Sequence, residues 1–344
     1  MEDTQNFVKG RENKMQTPTL FSLLPDYVST PDGMAIDPEG NLVLSCPNFA
    51  DTSMPGCLLK IGKNKYITKW VDVPAHQETG CARPMGIAFG PDGAIYICDN
   101  QGWSGDEKLM FKGRLLRLLI EGSTIIESDV VAYGMEHPNG IRFFGDYMYV
   151  TQSLMTKAPG PEGKLLSCVY RFHYKDRDIK VDNLPGDPNI LETFVTLNPE
   201  CQYGADGIEV DAQGNIYVGN FGDGAVHKVV MKTDGTVKES FVWAQDSEQL
   251  RTTDGMTTDA WGNMYVADFS ANAVARIDPN GKVRRIAQSP DSDGFNGELD
   301  QPGEPCFWNG VLVVSCFDLV TGPDKVNTGH EMPATLSQLL PEQF

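Results

Sequence analysis

The chain repeats itself six times, and that repeat limits what it can fold into. Each copy sets a small or acidic residue just ahead of a short strand, a tight turn and a second, apolar strand. The clearest copies begin Asp32-Gly33-Met34-Ala35-Ile36, Asp206-Gly207-Ile208-Glu209-Val210 and Asp254-Gly255-Met256-Thr257-Thr258. Looser copies begin Met85-Gly86-Ile87, Asn139-Gly140-Ile141 and Glu304-Pro305-Cys306. The leading positions lie 48 to 67 residues apart. A period that long, built mostly of strand, is the mark of propeller blades. The sequence therefore predicts an all-β protein, a six-bladed β-propeller. Equivalent positions of the blades then form a ring around one axis, reading Asp32, Met85, Asn139, Asp206, Asp254 and Glu304.

Within each copy the turn is of the Asp-x-x-Gly-Asn kind, as in Asp37 to Asn41 and Asp211 to Asn215. Glycine permits the positive φ of a tight hairpin, and the β-branched and aromatic residues that follow favour a strand. Outer strands are plainest at Ala225 to Val230 and Ala273 to Ile277. Residues 1–18 read as a polar, frayed amino-terminal tail, although Thr19 to Leu24 can supply a closing strand. Residues 19–317 read as the propeller. Residues 318–344 lack the blade pattern and read as a carboxy-terminal extension, with Pro333 to Leu340 as a tail or a short helix. Two insertions, Gly102 to Gly113 and Thr156 to Gly163, follow second strands and are expected at the same mouth as the ring. Such loops commonly select substrate.

The formal net charge is −19, which argues against nucleic acid and anionic membrane surfaces as partners. A small-molecule substrate is the expected partner, with the chain a monomer or a small homo-oligomer. The eight cysteines show no zinc spacing. Cys46, Cys98 and Cys316 fall in second strands as small core residues. No apolar leader or bilayer-length stretch is visible, so reduced thiols and a cytoplasmic location are expected.

Five of the six ring positions carry oxygen, and calcium takes six to eight oxygen ligands. Asp-Gly before a strand is also ordinary turn chemistry; its recurrence at ring positions is what favours ligation. The sequence thus predicts a divalent metal, calcium first, with zinc, manganese or magnesium as alternatives. Its ligands are drawn from Asp32, Asn139, Asp206, Asp254 and Glu304. A carboxylate beside such an ion, Asp206 or Asp254, can act as base or nucleophile.

The segments Tyr203-Gly204-Ala205-Asp206-Gly207-Ile208-Glu209-Val210-Asp211, His137-Pro138-Asn139-Gly140-Ile141 and Asp254-Gly255-Met256 resemble the SMP-30/gluconolactonase/luciferin-regenerating-enzyme family. They are also similar to squid diisopropyl fluorophosphatase. The resemblance covers about residues 30 to 317. It implies a six-bladed propeller whose channel holds calcium or a similar ion through a Glu, Asn residues and an Asp. Asn139 and Asp206 match that pattern. Asp32 stands where the family has Glu, and Met85 where it has Asn; Asp254 and Glu304 are on hand to compensate. The implied activity is hydrolysis of a sugar lactone or related cyclic ester. Organophosphate-type ester hydrolysis, an isomerase or lyase on the same ring, and a binding propeller without chemistry are the alternatives. Other candidates are His137 for proton transfer, Arg83 for an anionic group on the substrate, and Trp103 and Met85 for the pocket wall. Asp99, Asn100, Asn220, Asp268 and Asp318, at the ends of second strands, are expected to bond turns.

Overall fold

The computed structural model describes residues 15–321 and 325–340. Its strands form six small antiparallel sheets, one per blade. Blade one is Met34–Ile36, Leu42–Cys46, Cys57–Ile61 and Ile67–Asp72, ordered outward from the axis. Blade two is Pro84–Phe89, Ile95–Asp99, Gly113–Glu121 and Thr124–Met135, with Ile179–Lys180 added in parallel at its rim. Blade three is Pro138–Phe144, Tyr147–Gln152, Leu165–His173 and Ile190–Thr196. Blade four is Ala205–Val210, Ile216–Asn220, Ala225–Met231 and Val237–Gln245. Blade five is Met256–Thr258, Met264–Asp268, Ala273–Ile277 and Val283–Gln288. The propeller read from the repeats is the fold found.

The inner hairpins form for the reason the sequence suggested. Asp37 accepts from the backbone N–H of Glu39 and Asn41 and from the Asn41 amide, at 2.8 to 2.9 Å, while Gly40 sits at φ +83°. Asp211 repeats this with Gln213 and Asn215, and Asp259 with Trp261 and Asn263. An Asx side chain that closes the turn frees glycine to take the left-handed position.

Blade six closes the circle from both ends of the chain. Pro302–Trp308 and Val311–Cys316 are joined by Thr335–Leu339, and Thr19–Leu23 pairs with that strand as the outermost member. The expected closing strand near residue 19 is present. The expected tail or helix at 333–340 is instead a blade strand, with Leu336 and Leu339 buried. Its short mix of apolar and polar residues gains its strand character only from the ladders on either side. The propeller thus draws on residues beyond 318. Of the amino-terminal tail, residues 1–14 lie outside the described residues, while Gln16 bridges to Ala287 of blade five.

Each blade's inner face packs on the next. Met34, Leu42, Leu44 and Leu59 of blade one meet Trp308, Val313 and Leu336 of blade six. Val226 and Ala244 of blade four meet Met256, Met264 and Val266 of blade five. Each such side chain contributes about 1.5–3 kcal/mol when fully buried. All eight cysteines are free; Cys46, Cys98 and Cys316 are buried, as expected of small core residues. Among the described residues no helix is long and apolar enough to cross a membrane.

At the axis the blades approach backbone to backbone. A Cβ on Gly33 would come 2.6 Å from the Met85 carbonyl oxygen. Gly86 stands in the same relation to Asn139, Gly140 to Asp206, Gly207 to Asp254, and Gly255 to Gly303. Gly207→Ala is therefore expected to cost about 1–3 kcal/mol or more, the usual penalty of overpacking. Gly186→Ala, where a Cβ meets nothing within 4 Å, is expected to change little. Urea melts of the two variants against the parent check this; equal midpoints would show that the axis yields without cost.

Candidate active site at the channel mouth

The glycines that close the axis also aim the residues before them. Asp32, Met85, Asn139, Asp206 and Asp254 each precede one, and all five line a single cavity of about 490 Å³ at one mouth of the channel. That is within the size range of small-molecule sites. Its other walls are aromatic: Trp103, Tyr203, Phe221, Phe269 and Phe317. Trp103 comes from the insertion of blade two and stacks on Phe49 at 4.6 Å between centroids, with Phe317 at 5.6 Å. The two insertions meet, with Lys157 4.4 Å over the Phe111 ring, and of their residues Trp103 and Ser104 of the first line the cavity.

Blade six departs from the ring read in the sequence. Its inner strand pairs Pro302 with Cys316 and, after a bulge, Pro305 with Val314. In blade four the corresponding pairs are Ala205 with Asn220 and Ile208 with Val218. By this register Gly303, not Glu304, is the partner of Asp206. Glu304 fills the slot that is glycine in the other five blades. Its side chain runs into the channel under Gly255 and takes a 2.7 Å bond from Arg142 Nη2. Arg142 also donates to the Met256 carbonyl and stands 3.6 Å from Glu209. These three side chains form a charged plug that Asp32, Asp206 and Asp254 do not share. Burial works against the Arg142 charge, but Glu304 and Glu209 outweigh it and hold the guanidinium protonated.

The cavity acids make no such bond to an arginine; Lys325 is the basic residue among those that line the cavity with them. Burial, with Glu304 behind it, pushes Asp32 up to about 8. Burial followed by the Asp32 and Glu304 charges pushes Asp206 well up. Asp254 is raised by burial, then by Asp206, Asp32 and Glu304. The Asp206 Oδ1 is buried with no hydrogen-bond partner, and Asp254 Oδ1 accepts only from its own Gly255 N–H at 2.9 Å. Such a group is what a bound cation satisfies. Asp32, Asn139, Asp206 and Asp254 therefore fit a divalent ion through oxygen. The three ring carboxylates do not all close to within 4.8 Å of one another.

Two further candidates are placed elsewhere. Arg83 is buried, and its guanidinium donates to the carbonyls of Pro47, Met54 and Thr52 at 3.0 to 3.1 Å. Three of its five N–H donors are thus taken by backbone carbonyls, and Arg83 is not among the residues that line the cavity. His137 is also buried, off the cavity, with Nε2 hydrogen-bonded to the Tyr203 hydroxyl and Nδ1 3.0 Å from the Asn100 amide nitrogen. Burial drops it to about 3, so it is a neutral prop behind Tyr203. The strand-end polar residues bond loops as expected. Asp99 takes Arg83 N–H and Arg114, and Asp268 takes Arg251 N–H, Thr252 N–H and Arg285. Sequence reasoning missed Phe221, Phe269 and Phe317 as wall residues. Their signal was a phenylalanine directly after the second strand in three successive blades.

These features define a six-bladed propeller with an acidic, aromatic-walled cavity on its axis. Residues 229–294, which include Asp254, match the family model described as the SMP-30/Gluconolactonase/LRE-like region. The family resemblance read from the sequence is found again there. No curated protein matches the chain by sequence. Among solved structures, the calcium-binding protein regucalcin from Agrobacterium tumefaciens is similar, with TM-score 0.60 and 13% identity over 94% of this chain and 93% of that one. A gluconolactonase from Xanthomonas campestris gives TM-score 0.56 and 14% identity, with 95% of each chain covered. Virginiamycin B lyase from Staphylococcus aureus gives 0.51 and 14%, over 95% of this chain and 99% of that one. At such identities the likeness is one of fold.

The plug is testable apart from any activity. Arg142→Met leaves Glu304 and Glu209 buried without their cation, and is expected to destabilise by about 3–5 kcal/mol. Adding Glu304→Gln to that variant should recover a substantial part. Thermal or urea melts of the single and double variants measure this, and an unaltered midpoint in Arg142→Met would remove the plug from the stability argument.

Proposed function

We propose that this protein is a metal-dependent hydrolase of a lactone or related cyclic ester, with sugar lactones the first class to try. One observation carries the reading. Four oxygen-bearing side chains from four blades line one cavity opposite an aromatic wall, and one of them, Asp206, has a buried oxygen without a partner. The family match over residues 229–294 supports the substrate class, and the gluconolactonase and calcium-binding neighbours point the same way.

Asp32, Asn139, Asp206 and Asp254 would hold the ion. Their all-oxygen character favours calcium, magnesium or manganese over zinc, and calcium is the first of these to try. When bound, the ion supplies Lewis-acid polarisation of the ester carbonyl. Asp206 or Asp254 takes the proton of the attacking water. In the metal-free cavity burial and neighbouring charge raise the Asp206 carboxyl; a bound cation would draw it back toward the ionised form that a base requires. The water oxygen bonds to the carbonyl carbon, the ring C–O bond breaks, and the proton passes to the leaving oxygen, giving an open-chain hydroxy acid. Met85 brings a soft thioether where a hard donor would close the shell, and so leaves that side to the substrate. Trp103, Phe221, Phe269 and Phe317 offer flat apolar faces to the C–H side of a ring and exclude bulk water.

Asp206→Asn keeps the size and one ligand oxygen but cannot take a proton. It is expected to lower lactone hydrolysis about a hundredfold or more while leaving the melting temperature of the metal-free protein unchanged or higher. Initial rates by pH-stat on a panel of aldonolactones, with thermal melts and metal content, test it. A folded, metal-loaded Asp206→Asn variant of full activity moves the base to Asp254. A wild-type protein that binds calcium in the cavity and opens no lactone is a binding propeller instead.

A further inference from the structure

A second group of acids lies in blade six, away from the ring. Among the described residues, Asp300, Asp318 and Glu331 form the one set of three acidic, cysteine or histidine residues whose ligand atoms all lie within 4.8 Å of one another. Asp300 stands just before the innermost strand, Asp318 just after the second, and Glu331 shortly before the third. Asp300 is 1% exposed, and its Oδ1 has no hydrogen-bond partner. The Glu331 Oε2 is likewise buried and unpartnered, although the residue as a whole reaches solvent. An orphaned carboxylate oxygen inside a cluster of like charge is costly unless something positive joins it.

The surroundings supply little that is positive. Asp318 accepts from the Asn327 amide at 3.2 Å and from the Glu331 N–H at 2.9 Å, and His330 Nδ1 lies 3.2 Å from its Oδ2. That histidine is engaged with Asp318 and not with Asp300. Two more carboxylates, Asp291 and Asp293, add their charge to both Asp300 and Glu331. Asp291 is itself tied to Thr328. Burial, then the charge of Asp318, pushes Asp300 up to about 8.

We propose that Asp300, Asp318 and Glu331 form a second divalent-cation site, independent of the ring, that binds calcium and fastens the closing blade. The donors are all carboxylate oxygens, which select a hard ion. Calcium tolerates an irregular shell completed by water on the Glu331 side, whereas magnesium demands a near-octahedral one. The three ligands tie together the ends of three strands. The third, Thr335–Leu339, is the strand that receives Thr19–Leu23 and shuts the ring. The chain after Asp318 also reaches the main cavity, since Val320, Thr321 and Lys325 line it. An ion here therefore steadies both the closure and one wall of that cavity.

The test uses the full chain, stripped with a chelator and titrated with calcium chloride while calorimetry counts sites and a thermal melt is followed. Asp300→Asn is expected to bind one calcium fewer per chain than wild type. Glu331→Gln is expected to weaken the same site at least tenfold. An Asp206→Asn, Asp254→Asn double variant is expected to keep it. In chelator, Asp300→Asn should melt at or above wild type, because a buried repulsion has been removed; in excess calcium the order should reverse. Retention of the full calcium count and melting shift in both Asp300→Asn and Glu331→Gln overturns the site. So does their complete loss in the ring double variant, which would assign the calcium effect to the ring. If Asp300→Asn does not fold, Glu331→Gln, at the solvent edge, decides by its calcium affinity alone.

Discussion

The structure depends on how closely six backbones can approach one axis. Gly33, Gly86, Gly140, Gly207 and Gly255 each press against the carbonyl of the next blade's ring residue, at separations that no Cβ could share. This close approach fixes the register of every inner strand. Ser45 and Thr151 reinforce it from second strands by donating to the carbonyls of Met85 and Asp206. The backbone hydrogen-bonding needs of the axis are met within the ring, so the side chains before the glycines are left to project into the mouth. Aiming the acids and closing the propeller are one geometric event.

The same geometry separates two populations of buried charge. In the channel, Arg142 answers Glu304 with a direct bond and stands 3.6 Å from Glu209, although Glu304 still adds its charge to the acids above it. At the mouth, burial and the charge of Glu304 raise the proton affinity of Asp32, Asp206 and Asp254, Asp32 adds to it at the other two, and Lys325 is the basic side chain that lines the same cavity. The chain has 28 lysines and arginines, and it places Arg83 and Arg114 in backbone and strand-end roles. The raised acids are therefore a local property of the mouth and not a consequence of overall charge. They are satisfied by an exogenous cation or by protons, and a catalytic centre needs them unprotonated.

The blade count was legible because each inner hairpin carries a local code, the Asp that closes the turn and the glycine at positive φ, which needs no tertiary knowledge. Five ring residues were legible because that code repeats in phase. Glu304 was misplaced because blade six has Gly-Glu where the others end in Gly. Only the pairing of Pro305 with Val314 shows that Glu304 sits one step past the ring. Arg83 and His137 lie two residues before ring positions, but the inner strands begin only at Pro84 and Pro138, so the strand's alternation does not govern where they point. Proximity in sequence said nothing about which way they point. The strand at Thr335–Leu339 was hidden because its order comes from partners about twenty and three hundred residues away. The phenylalanine after the second strand was visible, and the segments after second strands were expected at the mouth, but an apolar residue there reads equally as core until the cavity is seen.

Stability and chemistry are divided between different parts of each blade. The apolar contacts that hold blades together lie along the strand faces, as between Val226 and Met256 or Leu44 and Trp308. The acids sit at strand ends, where the chain turns and few apolar contacts are lost by placing a charge. A propeller can therefore hold several electrostatically strained groups at its mouth and still close, because each blade interface contributes separately. The exception is blade six, whose interface includes a strand from each end of the chain and whose strand ends carry Asp300, Asp318 and Glu331. There the strain falls on the one junction that no continuous segment of chain secures. A charge cluster at that junction acts on closure directly, whereas the same cluster on any other blade would act on a loop.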